Sequence, residues 1–315
     1  MYRLLVSHEN VPLWQRRGIK GLVCEDDLYT VFSGDAETDE FERFMTSIEV
    51  PGQEAIEKLL ARSKMKSADW QAVAKFVAAQ SMRTPLAFVE ITRRAERHAQ
   101  EALEELVRKY EALGAIVPTE EGPEPPNFLH DTLKVSIEPP TGGSDKAGIR
   151  AQTKSARSVW MATQRHHLTN NVHQFVNHRF RAASPFGDEE WPLCDHPVLT
   201  LNYYERGKYD FEAGWGKTNS EFILPISPKV ALYTKIGDKT TGPFTFSHEQ
   251  TTELQRIMVE RAFRWILARK ELSWVAAARP REVNAQRFEQ ERQFWREWNP
   301  AQSQAESEFQ PNPRA

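Results

Sequence analysis

Residues 67–85 have the sequence SADWQAVAKFVAAQSMRTP. Its large apolar residues recur at the spacing of one face of an α-helix: Trp70, Val73, Phe76 and Val77. This spacing predicts a helix that buries that face against the rest of the protein. Ser67 offers an N-cap oxygen, and the helix is expected to stop or bend before Pro85, because proline excludes the α conformation from the residue before it. The stretch therefore predicts one helix of a larger helical body.

Helical periodicity extends to both sides of this stretch and alternates with strand-like segments. The predicted helices lie within three ranges: residues 39–113, 149–172 and 247–270. Pro51 and Gly52 are expected to interrupt or kink the first helix, and Ser247 is expected to cap the last. Runs rich in β-branched and aromatic residues between 175 and 235 indicate strands. The pattern predicts an α+β fold, with a mostly helical body packed around a small, mainly antiparallel sheet.

We expect a single α+β domain over residues 1–298. Residues 117–148 are rich in Pro, Gly, Ser and Thr, with too few apolar side chains for a packed core, so an exposed loop is predicted there. The polar composition of residues 299–315 indicates a disordered tail. A short amphipathic helix is predicted at 281–298. Its aromatic residues would suit docking to a protein partner: Phe294, Trp295 and Trp298.

Charge and cysteine content limit the class of protein. A net charge of -3 gives no strong sign of nucleic-acid binding, which usually appears as an excess of basic residues. Cys24 and Cys194 are the only cysteines and lie in unrelated contexts, which favours a reducing compartment. The sequence has no apolar run near the ~20 residues that a membrane span requires. We therefore expect a cytoplasmic protein that does not enter a membrane.

Familiar cofactor and metal motifs are missing from the sequence. It contains no phosphate-binding GxxxxGK[ST], no GxGxxG, no HExxH and no GxSxG. The glycines of AGWGK, at 214 and 216, are interpreted as a turn. Four histidines come close together in the sequence: His166, His167, His173 and His178. Their spacing and basic surroundings argue against a metal and favour a solvated polar face with one capping histidine, with an anion-binding groove as the alternative. We therefore predict no metal site and no cofactor.

A charged residue lies on the apolar side of the second helix. Arg83 is seven positions after Phe76, which places it on the same helical stripe. An unpaired buried charge costs several kcal/mol, so Arg83 requires a carboxylate, and Glu49 is the best candidate. One interpretation is a structural ion pair between helices. The other is a pocket in which Arg83 holds an anion, Glu49 is a general base and Gln80 binds substrate.

A further polar group precedes a predicted strand, in the segment Asp195-His196-Pro197-Val198. An aspartate in such a turn is expected to accept hydrogen bonds from nearby backbone N–H groups. Alternatively, Asp195 could take part in acid–base catalysis, with His196 beside it as a substrate-binding residue.

Several segments together carry a family resemblance: Asp27-Leu28-Tyr29-Thr30, the helix with Glu42 and Ile48-Glu49, residues 76–85, Asp195-His196-Pro197-Val198 and Leu224-Pro225-Ile226-Ser227-Pro228. In their order and spacing they resemble the family known as domain of unknown function 4238, over most of residues 20–270. Family members usually open with a His-Tyr-Val-Pro-like segment, and we expect this chain to start downstream of it. The family turn is commonly Asp-Asn-Pro, and here His196 replaces the asparagine. The resemblance implies the order of the fold and supports the candidate positions, without an established activity.

Three functions remain open from the sequence. The first is a soluble binding or structural protein, such as a component of a bacterial accessory system. The second is a metal-independent hydrolase or transferase for a phosphorylated or nucleotide-like substrate, with Arg83 as the anion clamp and Glu49 or Asp195 as the base. The third is an interaction module that docks a partner through the aromatic C-terminal helix.

Overall fold

A computed structural model describes residues 2–5, 7–8, 14–16, 18, 31–33, 36–112, 133–138, 148–153, 155–280 and 282–308. The chain divides into two compact units. The first unit consists of Met1–Asp26, Glu42–Ala87 and His167–Arg296. The second unit consists of Asp27–Phe41, Phe88–His166 and Glu297–Ala315. The single domain over residues 1–298 stays a prediction.

The helices begin and end as follows: α1 Glu40–Leu60, α2 Ser67–Met82, α3 Pro85–Ala112, α4 Ala156–His166, a π-helical turn His167–Asn171, α5 His173–Val176, α6 His248–Glu260, α7 Val275–Ala278 and α8 Ala285–Glu308. The strands are β1 Tyr2–Leu5, β2 Ser7–His8, β3 Gln15–Arg16, β4 Val31–Ser33, β5 Ala36–Thr38, β6 Leu133–Glu138, β7 Gly148–Thr153, β8 Arg181–Ser184, β9 Leu193–Cys194, β10 Leu199–Glu205, β11 Lys208–Asp210, β12 Ser220–Ser227, β13 Val230–Lys235, β14 Phe244–Thr245, β15 Trp265–Ala268 and β16 Glu282–Val283.

The first unit contains a six-stranded sheet in the order β11-β10-β12-β13-β8-β14. Its neighbouring strands pair antiparallel except for β14 and β8, which are parallel. A four-stranded sheet in the order β3-β1-β15-β9 lies in the same unit. The fold is therefore α+β, and its main sheet is mainly antiparallel, as predicted. The prediction of a small sheet was wrong, because short strands far apart in the sequence add to the edges of the central pairs.

The core of the six-stranded sheet packs against helix α6. Leu254, Ile257 and Met258 of this helix are buried with Leu199 and Ile223 of the sheet. Ser247 caps α6: its hydroxyl accepts from the Gln250 N–H, and Gln250 Oε1 accepts from the Ser247 N–H, at 3.1 Å each. This reciprocal capping box confirms the predicted start of the helix.

Helices α1 and α2 form a tightly packed hairpin in the first unit. A Cβ placed on Gly52 would lie 2.5 Å from Phe76 Cβ, so only glycine fits at this contact. Lys58 Nζ lies 2.7 Å from Asp69 Oδ1 near the connection between the helices. Helix α1 continues through Pro51, so of the two predicted outcomes the interruption was wrong and the kink stays a prediction. Close packing at the next residue holds the helix although proline removes one of its hydrogen bonds.

Helix α2 begins at Ser67, as the sequence predicts, but Ser67 is not its N-cap. Lys66 occupies the N-cap position, with extended backbone angles. Asp69 reaches back to accept a hydrogen bond from the Lys66 N–H at 2.8 Å. Ser67 was predicted as the N-cap and instead lies inside the first turn, where the Asp69 carboxylate accepts from the N–H of the actual N-cap residue, Lys66.

A β-hairpin occupies part of the region that was predicted to be a loop followed by a helix. In the second unit, β6 pairs with β7 in antiparallel register from Leu133↔Thr153 to Glu138↔Gly148. The prediction was therefore wrong at 133–138, and the helix predicted from residue 149 begins only at Ala156. Residues 117–132 and 139–147 lie outside the described part of the chain.

The long helix predicted at 247–270 is in fact a helix followed by a strand. Helix α6 ends at Glu260, and β15 pairs with β1 on one side and β9 on the other. The apolar run Trp265-Ile266-Leu267 continues the helical pattern of α6, but its pairing partners are far away in the sequence. Non-local pairing therefore overrides the local periodicity here.

The predicted tail at 299–315 is helical over its first part. Helix α8 continues through Pro300 to Glu308, and Glu306 is buried. Residues 309–315 lie outside the described residues. The tail was predicted from its polar composition. Its helix is held because Glu306 is buried in an ion pair with Arg157, which lies in a distant segment of the sequence. Among the helices that the structure describes, none is long and apolar enough to cross a membrane.

Candidate functional site

Glu49 and Arg83 form an ion pair between helix α1 and the end of helix α2. Arg83 occupies the C-cap of α2, and its N–H donates to the Ala79 carbonyl at 3.1 Å. The predicted pairing is therefore confirmed. The arginine side chain is 30% exposed and the glutamate 29%, although Glu49 Oε1, the oxygen that contacts Arg83, is itself buried, so the pair lies at the edge of the core. The expectation of a guanidinium within the apolar interior was wrong. Helix α2 ends at Met82, so Arg83 is its C-cap and does not lie on the apolar stripe of the helix.

The residue after Arg83 connects this ion pair to the segment with Asp195 and His196. Thr84 Oγ1 lies 2.9 Å from His196 Nδ1, and both side chains are buried. The same hydroxyl accepts from the Ala87 N–H at 3.1 Å, so Thr84 is the N-cap of α3 and Pro85 its first helical residue. The hydroxyl proton can then be donated to Nδ1, which assigns the imidazole proton to Nε2.

His196 is held in its neutral form. Burial, together with a smaller effect of the positive charge of Arg261, lowers the pKa of His196 from 6.5 to about 4. Arg261 is the C-cap of α6, and its guanidinium lies 4.5 Å from the centre of the Phe211 ring. A second cation covered by an aromatic ring therefore lies within electrostatic reach of His196.

Asp195 has a structural position. Its Oδ1 accepts from the Phe263 N–H at 2.9 Å and its Oδ2 from the Arg264 N–H at 2.6 Å. Burial raises the pKa of the Asp195 carboxyl from 3.8 to about 6, and the backbone hydrogen bonds oppose that shift. The sequence predicted that this carboxylate accepts backbone N–H bonds. The donors belong to the connection between α6 and β15, a segment far away in the sequence.

The structure brings most of the predicted site residues together. Glu49 contacts Arg83, Arg83 adjoins Thr84, and Thr84 contacts His196 beside Asp195. Gln80 lies in α2, one turn before Arg83, and is partly buried. Among the described contacts, none joins the Gln80 side chain to the rest of the group. We call Glu49, Arg83, Thr84, His196 and Arg261 the arginine–histidine cluster.

The cluster includes residues that sequence reasoning did not select. Thr84 had a local signal, since a threonine directly before a proline is the typical start of a helix. Arg261 had no such signal, because it lies among several arginines at the end of α6. Only the pairing of β9 with β15 brings it close to His196.

The predicted docking face at the C-terminus is only partly available. Trp298 is buried, and its ring centre lies 5.1 Å from that of Phe88 in an edge-to-face contact. Phe294 is 55% exposed. Trp295 lies in α8, but its side chain is outside the described part of the structure. Trp298 was therefore wrongly predicted as a docking residue, because it packs within the chain itself.

The clustered histidines and the AGWGK segment, which were considered separately, lie side by side. His178 Nε2 lies 3.1 Å from the Trp215 carbonyl oxygen, and the His167 ring packs edge-on against the Trp215 ring at 5.9 Å. The anion-binding groove stays a prediction. Within the described residues, no group of three histidine, cysteine or acidic side chains is arranged to hold a metal ion.

The fold and the cluster define an α+β protein in which a partly exposed ion pair and a buried, neutral histidine are connected through Thr84. The chain belongs to the family described as "Protein of unknown function (DUF4238)", whose model matches residues 2–271. The resemblance carried by the sequence is thus confirmed, although its first segment, residues 27–30, lies outside the described residues. Neither a curated protein nor a solved structure matches the chain.

Proposed function

We propose that the protein binds a small molecule that carries a phosphate group, at the arginine–histidine cluster. The observation that carries the proposal is the Glu49–Arg83 ion pair, whose two side chains are 30% and 29% exposed. An arginine fork matches the geometry of a phosphate as well as that of a carboxylate. Glu49 would be the resting partner of Arg83, and the phosphate of the ligand would replace it.

Exchange of the resting partner is supported by the position of the pair. A buried ion pair is costly to separate, since either charge would remain uncompensated in the interior. Glu49 Oε1 is buried where it contacts Arg83, but the glutamate side chain as a whole is 29% exposed, so a rotation of the released carboxylate would bring it to water. The ligand phosphate then gains the place next to Arg83 at a small cost to the fold.

The charge around His196 favours a phosphate over a singly charged carboxylate. Arg261 adds a second positive charge to that of Arg83, and the electrostatic effect of Arg261 reaches His196. Phe211 is 40% exposed and covers Arg261, which offers an aromatic surface for the non-phosphate part of the ligand. A neutral imidazole allows Nε2–H to act as an additional donor.

The experiment is isothermal titration calorimetry with inorganic phosphate and pyrophosphate on the wild type, Arg83→Met and Lys58→Met. Lys58 is the matched control, because it forms an ion pair with Asp69 across the same two helices. We expect the wild type and Lys58→Met to bind pyrophosphate alike and Arg83→Met to bind at least tenfold more weakly. No binding to the wild type, or equal binding by all three proteins, would overturn the proposal.

A hydrolase or transferase is the alternative function. The observation that favours it is that a carboxylate, Glu49, lies directly beside the arginine that would hold the phosphate. Asp195 is less suited as the base, since both of its oxygens accept backbone N–H bonds. The alternative predicts slow hydrolysis of p-nitrophenyl phosphate by the wild type, and loss of that hydrolysis in Glu49→Gln with binding retained.

We also propose a cytoplasmic location. It is supported by Cys194, a free thiol buried beside His196, which donates to the His196 carbonyl oxygen at 3.1 Å. Fractionation of cells that produce the tagged protein would test the location, and recovery outside the cytosolic fraction would contradict it.

A further inference from the structure

An exposed phenylalanine lies beside Arg261 of the arginine–histidine cluster. Phe211 is 40% exposed, and the Arg261 guanidinium lies over one face of its ring, 4.5 Å from the ring centre. The ring of Tyr209 contacts it edge-on, with the two ring centres 5.6 Å apart. One face and one edge of the Phe211 ring are therefore covered by the protein, and the exposed part of the ring is available to a ligand.

The turn that carries Phe211 is fixed by the side chain before it. Asp210 Oδ1 accepts from the Glu212 N–H at 2.9 Å and from Asn202 Nδ2 at 2.6 Å. Its Oδ2 accepts from the Tyr204 hydroxyl at 2.9 Å. An aspartate that accepts from the N–H two residues further on closes a turn. Phe211 is the middle residue of this turn, so its backbone is held in place although its ring is exposed.

The neighbouring ring is fixed as well. Arg256 Nη2 donates to the Tyr209 hydroxyl at 3.2 Å, and Arg256 pairs with Glu260 of the same helix. Helix α6 and its C-cap thus support both rings, Tyr209 through Arg256 and Phe211 through Arg261. A side chain that is already ordered loses little conformational entropy when a ligand contacts it, which favours binding.

The charges around the Phe211 ring limit the kind of group that can stack on it. Arg261 on the covered face disfavours a second cation on the open face, because the two positive charges would repel each other. The face of a phenyl ring is itself negative and disfavours an anion. A neutral planar ring satisfies both conditions, and nucleobases commonly stack on aromatic side chains in this way.

We propose that the phosphate-bearing ligand of the cluster is a nucleotide, whose base stacks on the open face of Phe211. This inference rests on the proposed function, because the phosphate of the nucleotide is held at the arginine–histidine cluster. Arg261 connects the two parts of the site: its guanidinium supports the Phe211 ring, and its positive charge reaches His196. The base and the phosphate of one ligand are thus bound at neighbouring places.

Calorimetric titration with AMP and with ribose 5-phosphate tests the inference, since ribose 5-phosphate is AMP without its base. Stacking of one base contributes about 5- to 150-fold in affinity. We expect the wild type to bind AMP at least fivefold more tightly than ribose 5-phosphate. Phe211→Leu keeps an apolar side chain but has no aromatic face, and it should bind the two ligands alike. Phe211→Trp keeps an aromatic face and should retain the preference for AMP.

Phe186→Leu is the matched control. Phe186 is 49% exposed, and its ring contacts the His248 ring edge-on with the centres 5.5 Å apart. It follows β8 and belongs to a different connection from the turn that carries Phe211. This variant should bind AMP and ribose 5-phosphate with the affinities of the wild type.

The outcomes separate this inference from the proposed function. Equal binding of AMP and ribose 5-phosphate by a wild type that binds pyrophosphate would overturn the nucleotide inference and leave the proposed function standing. An undiminished preference for AMP in Phe211→Leu would also overturn it, since the base would then be bound elsewhere. If the wild type binds none of the three ligands, the proposed function fails and the nucleotide inference fails with it.

Discussion

Thr84 and His196 lie 112 positions apart in the chain, and their side chains form a buried hydrogen bond of 2.9 Å. The threonine hydroxyl also caps helix α3 through the Ala87 N–H. A single side chain therefore caps α3 and orients the imidazole of His196. This hydrogen bond connects the end of α2, where Arg83 lies, to Asp195 and His196, which precede β10.

Replacing Thr84 by valine should destabilise the protein by about 2–3 kcal/mol. The change removes an N-cap, which typically costs ~1 kcal/mol, and leaves a buried imidazole nitrogen without its donor, which costs ~1–3 kcal/mol. Urea unfolding measures the loss. Thr84→Ser keeps the hydroxyl and should stay within about 1 kcal/mol of the wild type. Equal losses in the two variants would show that the hydroxyl has no such role.

The two buried groups at 195 and 196 should affect stability in opposite directions as the pH changes. The pKa of Asp195 is raised to about 6, so its contribution to stability is present below pH 4 and is lost as the pH rises through 6. The pKa of His196 is lowered to about 4, so its contribution is present above pH 6.5 and is lost as the pH falls to 4. Each amounts to roughly 3 kcal/mol at about 1.4 kcal/mol per pKa unit, and the two largely cancel.

Single substitutions separate the two contributions. In Asp195→Asn only the histidine effect remains, so the free energy of unfolding should fall more steeply than in the wild type between pH 6.5 and 4.5. In His196→Asn the slope should reverse, with stability falling as the pH rises through 6. Denaturant unfolding at several pH values measures both slopes. Parallel curves for the wild type and both variants would contradict the assignment.

Gly52→Ala should destabilise the α1–α2 hairpin by about 1–3 kcal/mol. Alanine is the better helix former by ~1 kcal/mol, but its Cβ would lie 2.5 Å from Phe76 Cβ and force the helices apart. Thermal unfolding measures the change. The control is Gly18→Ala, where an added Cβ meets nothing within 4 Å. A more stable Gly52→Ala variant would mean that the helices are not in close contact.

Glu253→Ala should cost about 2–3 kcal/mol, because it leaves two donors of the β10–β11 hairpin without their acceptor. Glu253 is buried, and its carboxylate accepts from the Tyr203 hydroxyl at 2.5 Å and from the Gly207 N–H at 2.6 Å. Glu249 is the matched control on the same helix, since it forms an exposed pair with Arg206 of the same hairpin. Chemical denaturation should show less than about 0.5 kcal/mol for Glu249→Ala. Similar losses for both variants would count against the proposed contacts.

Local signals in the sequence predicted the parts of the fold that depend on local interactions. The capping serine at 247 and the turn-bounded runs around β12 and β13 gave correct elements. Strand β15 was missed, since its apolar run continues the periodicity of α6 and only pairing with β1 and β9 makes it a strand. Helix α8 was cut short at 298, because its last turns are held by Arg157, 149 positions from Glu306.

The candidate site was predictable to a similar extent. The need to neutralise a cation on α2 was enough to pair Arg83 with Glu49, because the two helices are consecutive. The bond between Thr84 and His196 and the approach of Arg261 depend on strand pairing across the chain. Physical reasoning on one segment at a time does not reach such contacts.

The Glu49→Gln variant tests most directly whether Glu49 is a replaceable partner of Arg83. Calorimetric titration with pyrophosphate compares it with the wild type at the same ionic strength. If Glu49 competes with the ligand, loss of its negative charge should tighten binding, and we predict a three- to tenfold lower Kd. An unchanged or higher Kd would contradict the account, since the carboxylate would then not compete for the place where the phosphate is proposed to bind.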